Sequence, residues 1–239
     1  MYGSYRDAAA SSSVAPHHHL TAQIVTPSRG VLTVCTTGGD WIVPPRNALW
    51  IPPQFGHSVA AAPGTEMVSL FLVGEYASHL PLACATLPVS PLLHELMRRI
   101  AERSQSDEAS ASAYGSAVSE ELRCAKTSTL EVKLPIDRRA RKLARLVMDR
   151  PESALTLQEW CETVGASARN MERIFHRDTG LSFGKWRRNA RIAAALNFMA
   201  AGDSIGVAAD RVGYESQSAF TAAFRRALGT SPSAYRITR

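Results

Sequence analysis

Arg169, Arg173 and Arg177 step by four along one short stretch, with Asn170 beside the first of them. On a helix that spacing puts the three guanidinium groups on neighbouring ground. Arginine pairs bidentately with guanine and asparagine with adenine, so this face carries donors suited to reading a DNA major groove. A solvated helix surface has the same composition. Repetition favours the first reading. Ser167–Ser182 and Ser216–Ser231 align at an offset of 49 residues, with Met171 on Phe220, Phe175 on Phe224, Arg177 on Arg226 and Gly180 on Gly229. In the second copy Gln217, Ser218, Thr221 and Arg225 lie opposite an apolar stripe of Phe220, Phe224 and Leu228. Met171, Ile174 and Phe175 make the matching stripe in the first copy, and both stripes are core.

The elements around each copy must hold these faces. Thr156-Leu-Gln-Glu159 is a capping box that starts a helix. Leu157, Trp160, Cys161 and Val164 give that helix its apolar side, Gly165 ends it, and Ser167 caps the next. Before the second copy the order recurs, with Asp203 or Ser204 as cap, Ile205, Ala208, Ala209 and Val212 as apolar side, Gly213 as stop and Ser216 as cap. Helix, glycine turn, helix is the arrangement that lays a second helix in a major groove. Between the copies, Phe183 to Ala200 is alanine-rich and free of proline, which predicts one continuous helix. Its eighteen residues span about 27 Å, enough to hold two readers about one duplex turn (~34 Å) apart. Arg169, Asn170 and Arg173 are then expected to read one groove, and Gln217, Ser218 and Thr221 the next. Arg177, Arg225 and the helix starts at Ser167 and Ser216 are expected to meet phosphates. Ala222 stands where the first copy has Arg173, which predicts weaker base discrimination by the second reader.

On these residues the stretch from Ile136 to Arg239 resembles the DNA-binding domain of the AraC/XylS family of bacterial transcription regulators. The resemblance rests on Leu155-Thr-Leu-Gln-Glu, Ser167-x-Arg169-x-x-x-Arg173-x-Phe175, Gly180-x-Ser182-Phe183, Arg191, Ala208-x-x-x-Val212-Gly213-Tyr214, Ser218-x-Phe220-x-x-x-Phe224-Arg225, Gly229-x-Ser231-Pro232 and Tyr235-Arg236. It covers over two-fifths of the chain. It implies seven helices, two helix-turn-helix units joined by a linking helix, and promoter DNA and RNA polymerase as partners, mostly in activation. Trp160-Cys161 departs from the small residues more usual there, which should alter packing and not reading.

Charge supports a division of labour. From Ile136 to Arg239 there are 18 Lys and Arg against 10 Asp and Glu, a net of +8; Met1 to Pro135 has 9 against 11, a net of −2. A basic half tethered to a near-neutral half is the expected balance for a DNA-binding domain joined to another module. At 239 residues and 45% hydrophobic content the chain can bury one or two cores. No apolar run approaches the ~20 residues of a membrane span. The first sixteen residues lack a signal-like apolar block and, being rich in Ser and Ala, are expected to be disordered. Cys35, Cys84, Cys124 and Cys161 are scattered without a C-x-x-C, which points to a reducing cytoplasm and away from a disulfide framework or zinc finger.

The N-terminal half reads as short strands at Ala22–Val25, Val31–Thr36, Trp41–Val43, Ala48–Ile51, Ser58–Ala60 and Met67–Val73, with Gly- and Pro-rich turns between them. The turn at Ala62-Pro-Gly-Thr65 is one of these, and Ala83–Val89 is placed to close the sheet. The spacing predicts a small sandwich or barrel. His17-x-His19-x-x-x-Gln23, with Gly30 seven residues on, followed by Pro52-x-Gln54-x-x-His57, resembles the two motifs of the cupin barrel. There two His, a Glu and a later His converge on a metal. Gln23 stands at the Glu position and Gln54 at a Gly position. By this resemblance His17, His19, Gln23 and His57 can hold a divalent transition ion, with affinity reduced because an amide replaces a carboxylate. The alternatives are a metal-free pocket in which His57 only hydrogen-bonds, and a mobile tail carrying His17 and His19. His79, His94 and His176 fall outside the pattern.

The expected fold is two-domain α+β: a disordered tail over residues 1–16, a small cupin-like sensor barrel over 17–89, a helical bridge over 90–125 that dimerises or covers the barrel, a linker over 126–135 and an all-α domain over 136–239. Within the bridge, Ser90–Glu102 and about Ala113–Cys124 read as helices and Ser104–Ser116 as an exposed loop. Arg138, Arg139, Arg141, Lys142 and Arg145 lie at the start of the last domain, available to phosphates. The function expected is a cytoplasmic transcription regulator, controlled by a small effector or metal and possessing no enzymatic activity. The competing readings are a metal-dependent cupin enzyme, such as a dioxygenase or isomerase, carrying a DNA-binding tail, and an architectural DNA-binding protein without an effector.

Overall fold

The computed structural model describes residues 1–8, 12–61, 64–73, 76, 78–102, 108–125 and 130–235; for 6–8, 12 and 108–112 it describes the backbone only. The chain forms two compact units, Met1–Thr37 with Val43–Ser128, and Gly38–Ile42 with Thr129–Arg239.

The strands are β1 (Tyr2–Ala8), β2 (Ser12–His17), β3 (Ala22–Arg29), β4 (Leu32–Thr36), β5 (Gly39–Val43), β6 (Asn47–Ile51), β7 (His57–Ala61), β8 (Thr65–Leu72) and β9 (Ala85–Pro88). They make a five-stranded sheet of order β1-β8-β3-β6-β9 and a four-stranded sheet of order β2-β7-β4-β5. The arrangement is cupin-like, but among the described residues no strand pairing closes the two sheets into one ring. β9 fulfils the expectation for residues 83–89 only as an outer strand beside β6.

Side-chain alternation sorts the two faces of the larger sheet. Ile24 on β3 and Val68, Leu70 and Leu72 on β8 pack with Leu93, Leu96 and Met97 of α1 (Pro91–Glu102) and Val118 and Leu122 of α2 (Glu108–Cys124). Gln23 and Ser69, the neighbours of Ile24 and Leu70, therefore point to the opposite face, where they meet each other. This face carries the polar site. Ser90 caps α1, accepting from the Leu93 N–H at 2.9 Å.

Three expectations need correction. Residues 2–8 and 12–16, expected to be disordered, lie in strands paired to β8 and β7. Main-chain pairing at an outer position needs no apolar alternation, and Tyr2 adds a stacked contact with Phe71 at 4.6 Å. The loop expected over Ser104–Ser116 is helix from Glu108 onward; residues 103–107 lie outside the described residues, as do 62 and 63 of the turn at Ala62–Thr65. The linker expected over 126–135 is structural where it is described. Leu130, Val132 and Leu134 are buried, and Val132 and Asp40 accept from the amides of Ile42 and Leu134 at 2.9 and 2.7 Å. Residues 126–129 lie outside the described residues.

The second unit holds α3 (Arg138–Asp149), α4 (Leu157–Glu162), α5 (Ala168–Thr179), α6 (Phe183–Ala200), α7 (Ile205–Arg211) and α8 (Gln217–Leu228). Six helices are thus described where the resemblance implies seven. Ser231–Tyr235 adds a single turn, closed by the Tyr235 N–H on the Ser231 carbonyl at 2.9 Å, and Arg236 lies outside the described residues. The caps fall where the side-chain chemistry puts them. Thr156 and Glu159 form the reciprocal capping box; Ser167, Ser204 and Ser216 each accept an N3 amide; Gly180 and Gly229 end α5 and α8 in the left-handed region at φ 73° and 72°. The two turns inside the motifs differ. A Cβ at Gly165 would meet nothing within 4 Å, whereas one at Gly213 would lie 2.4 Å from the Glu152 carbonyl oxygen. The second turn therefore packs directly on the chain that leads into the first motif.

Asp178, at the end of α5, is buried. Its Oδ2 accepts the amides of Ile136 and Asp137, both at 2.9 Å, and its Oδ1 accepts from Arg177 Nε at 2.6 Å. Burial by itself pushes this carboxyl up, but the guanidinium and the two amides outweigh it and hold the carboxyl below the usual carboxylate range. A depressed carboxyl stabilises the fold above its unfolded value, and that contribution is lost as pH falls through the folded value. Asp178→Ala is expected to destabilise the second unit by about 2–4 kcal/mol, because two backbone donors lose their acceptor. Thermal melts checked against pH should show the wild type losing its advantage over the variant only in acid.

Candidate DNA interface and imidazole cluster

The DNA-reading candidates divide by exposure. On α5, Ser167, Arg169, Arg173, His176 and Arg177 are exposed and Asn170 is half-buried. Arg173 donates to Asn170 Oδ1 at 2.9 Å, so this guanidinium is oriented by a neutral neighbour. Glu172 between them accepts from the Phe183 N–H at 3.3 Å. Arg177 is different: its guanidinium is tied to Asp178, so much of its charge serves the fold and less remains for a phosphate. His176, outside the sequence-derived candidates, lines the same groove as Arg173 and Arg177. On α8, Ser216, Gln217, Ser218 and Arg225 are exposed and Thr221 is half-buried. The Ser216 and Ser218 hydroxyls share a 3.0 Å hydrogen bond. Behind both faces the apolar stripes are core, with Met171, Phe175, Phe220 and Phe224 fully buried.

The linking helix α6 is anchored through its first half. Trp186 donates to the Lys133 carbonyl at 2.8 Å and Asn189 to that of Glu131 at 3.0 Å. Arg187 donates to the carbonyls of Leu155 and Ser153 just before α4. Arg191 donates to Pro151 at 2.7 Å, to Ser153 at 2.8 Å and to Gly213, in the second turn, at 3.4 Å. Burial lowers the pKa of both guanidiniums below the usual arginine value. Neither Arg187 nor the positioning part of Arg191 is legible in the sequence, because carbonyl partners leave no pattern in side-chain types. Of the basic residues on α3, Arg141 turns inward, 3.4 Å from Asp40 and bonded to the Pro135 carbonyl. Arg138, Arg139, Lys142 and Arg145 stay exposed.

In the first unit the sequence-selected imidazoles come together. His17 faces His57 across the β2–β7 pair, and one ring nitrogen from each of His17, His19 and His57 lies within 4.8 Å of the others. The Gln54 N–H donates to the His19 carbonyl at 2.8 Å, and Gln54 has φ 61°, which accounts for glycine being the usual residue there. Gln23 Oε1 lies 3.1 Å from His19 Nε2, and Gln23 Nε2 donates to Ser69 Oγ at 3.0 Å. The His57 pKa is lowered, first by burial. His94 stands apart, bonded to Ser28 at 2.8 Å, and His79 is exposed.

Comparison with known proteins draws the two halves together. The AraC-like ligand binding domain family matches residues 2–118, and a helix-turn-helix domain family matches residues 160–237. The multiple antibiotic resistance protein MarA of Salmonella typhimurium is 32% identical over 93 residues, 38% of this chain and 73% of MarA. The chain belongs to the AraC/XylS family of transcription regulators. This AraC/XylS protein is also 29% identical over 221 residues to the regulator NimR of Escherichia coli K12, covering 92% of this chain and 81% of NimR. Among solved structures, ToxT from Vibrio cholerae O395 aligns over 98% of this chain and 95% of its own, at 13% identity and a TM-score of 0.44. The AraC/XylS chain is thus a DNA-binding transcription regulator with a ligand binding domain, and none of its described helices is long and apolar enough to cross a membrane.

Proposed function

We propose that the chain is a cytoplasmic, sequence-specific promoter-binding regulator, acting as an activator with RNA polymerase and carrying no catalytic activity. A small effector or a metal ion held between the sheets of the first unit controls it, and α1 and α2 pair two copies. Arg169, Asn170 and Arg173 read one major groove and Gln217, Ser218 and Thr221 the next; Ser167, Ser216 and Arg225 meet phosphates, with Arg177 a weaker contact. The observation that carries this reading is the Arg169–Asn170–Arg173 face of α5, with both guanidiniums exposed. It lies on a helix capped like α8, behind the same kind of glycine turn, with its one intervening acid turned onto Phe183. The experiment is a DNase footprint on genomic fragments retained by the purified chain. A bounded protected segment is expected; diffuse protection would instead favour an architectural role.

A further inference from the structure

The imidazole cluster in the first unit is polar on all its working atoms and short of donors. His17 Nδ1 is 2.8 Å from the Ala15 carbonyl, His19 Nδ1 is 2.6 Å from that of Thr21, and His57 Nδ1 is 2.9 Å from that of Phe55. A carbonyl oxygen only accepts, so each ring carries its proton on Nδ1 and a neutral ring keeps a bare lone pair on Nε2. His57 Nε2 is buried without a hydrogen-bond partner. Gln23, 4% exposed, holds its amide by donating to Ser69, which leaves Oε1 facing His19 Nε2 at 3.1 Å. Two acceptors at that distance repel unless a second ring proton or a metal ion lies between them. Nitrogen and oxygen donors bonded at about 2.1 Å to one ion sit roughly 3.0–3.4 Å apart, so the His19–Gln23 pair is already spaced as neighbouring ligands. The other rings, within 4.8 Å, need only draw inward.

We propose that His17, His19 and His57, through Nε2, and Gln23, through Oε1, bind one divalent first-row transition ion, and that Ser69 is the positioning residue that aims the Gln23 oxygen. Neutral imidazoles with one amide oxygen suit zinc, iron, nickel or cobalt over magnesium or calcium. The carbonyls of Ala15, Thr21 and Phe55 act as the outer shell that fixes each ring's tautomer. The inference rests on the reading that this unit controls DNA binding and supplies the chemical class of its ligand.

The test uses the full chain, untagged and stripped with chelator, titrated with Co²⁺ and followed by visible absorption and calorimetry. One ion per chain is expected. His17→Ala and His57→Ala should each abolish binding, and Gln23→Glu should tighten it on the order of tenfold by adding a charge. Ser69→Ala should weaken it about 10- to 100-fold and alter the ligand-field bands, whereas His18→Ala, at an exposed neighbour, should change nothing. His17 is only half-buried, so that variant keeps the test meaningful if His57→Ala fails to fold. Absence of stoichiometric binding, or binding lost equally in His18→Ala, overturns the site. Operator affinity measured in the same samples with and without Co²⁺ separates the two ideas: an ion that binds without changing that affinity leaves the site standing and removes the control reading.

Discussion

Arg173→Ala is expected to weaken binding to the preferred operator by about 1–3 kcal/mol and to flatten discrimination at the base pair it contacts. The guanidinium is exposed on α5 and oriented by Asn170 Oδ1 at 2.9 Å. That bond uses one lone pair of the asparagine oxygen and leaves the other guanidinium donors of Arg173 free to face a base, which should favour guanine, whose major-groove edge is acceptor-only at N7 and O6. Binding curves against a set of single-base operator variants give the result. A uniform loss across all variants would make Arg173 a phosphate contact. Nothing of this kind is expected of Ala222, at the same place in α8, and operator changes in the second groove should have smaller effects.

The second large effect belongs to Arg191, which touches no base. Its guanidinium bonds the carbonyls of Pro151 and Ser153 ahead of α4 and reaches Gly213 in the turn before α8, and lies 5.8 Å over the Tyr214 ring. Arg191→Ala leaves those carbonyls short of a donor and is expected to cost about 2–4 kcal/mol of stability. Its effect on DNA binding should be geometric. The wild type, with its readers held in register, should lose most of its affinity when half a helical turn is inserted between the two contacted segments. The variant, measured below its lower melting point, should bind the intact operator more weakly and respond less to the insertion. Equal sensitivity in both proteins would mean that Arg191 supports the fold without setting the spacing.

What could be read from sequence was local. Capping at Thr156, Ser167, Ser204 and Ser216 depends on a side chain and an amide three residues on, so residue types suffice. The linking helix begins and ends at Phe183 and Ala200, as alanine content and the absence of proline imply. The misses depend on partners far along the chain. Residues 2–8 find β8 and residues 130–134 find Asp40–Ile42 through main-chain bonds to which side-chain patterns are blind. The Arg177–Asp178 pair is not legible in the sequence, because adjacent helix residues do not ordinarily face each other; it forms because Asp178 is drawn inward by the amides of Ile136 and Asp137. For the imidazole cluster, the resemblance to the two cupin motifs supplies the four residues, but the tautomers follow from carbonyl directions that only the fold provides.

The most direct test of the account is guanine-methylation interference on a selected operator. Two clusters of interfering guanines, centred about 10–10.5 base pairs apart on one face of the duplex, are predicted, with Arg173→Ala abolishing interference in one cluster alone. A single cluster, or two on opposite faces, would contradict the claim that α5 and α8 read adjacent grooves from one side.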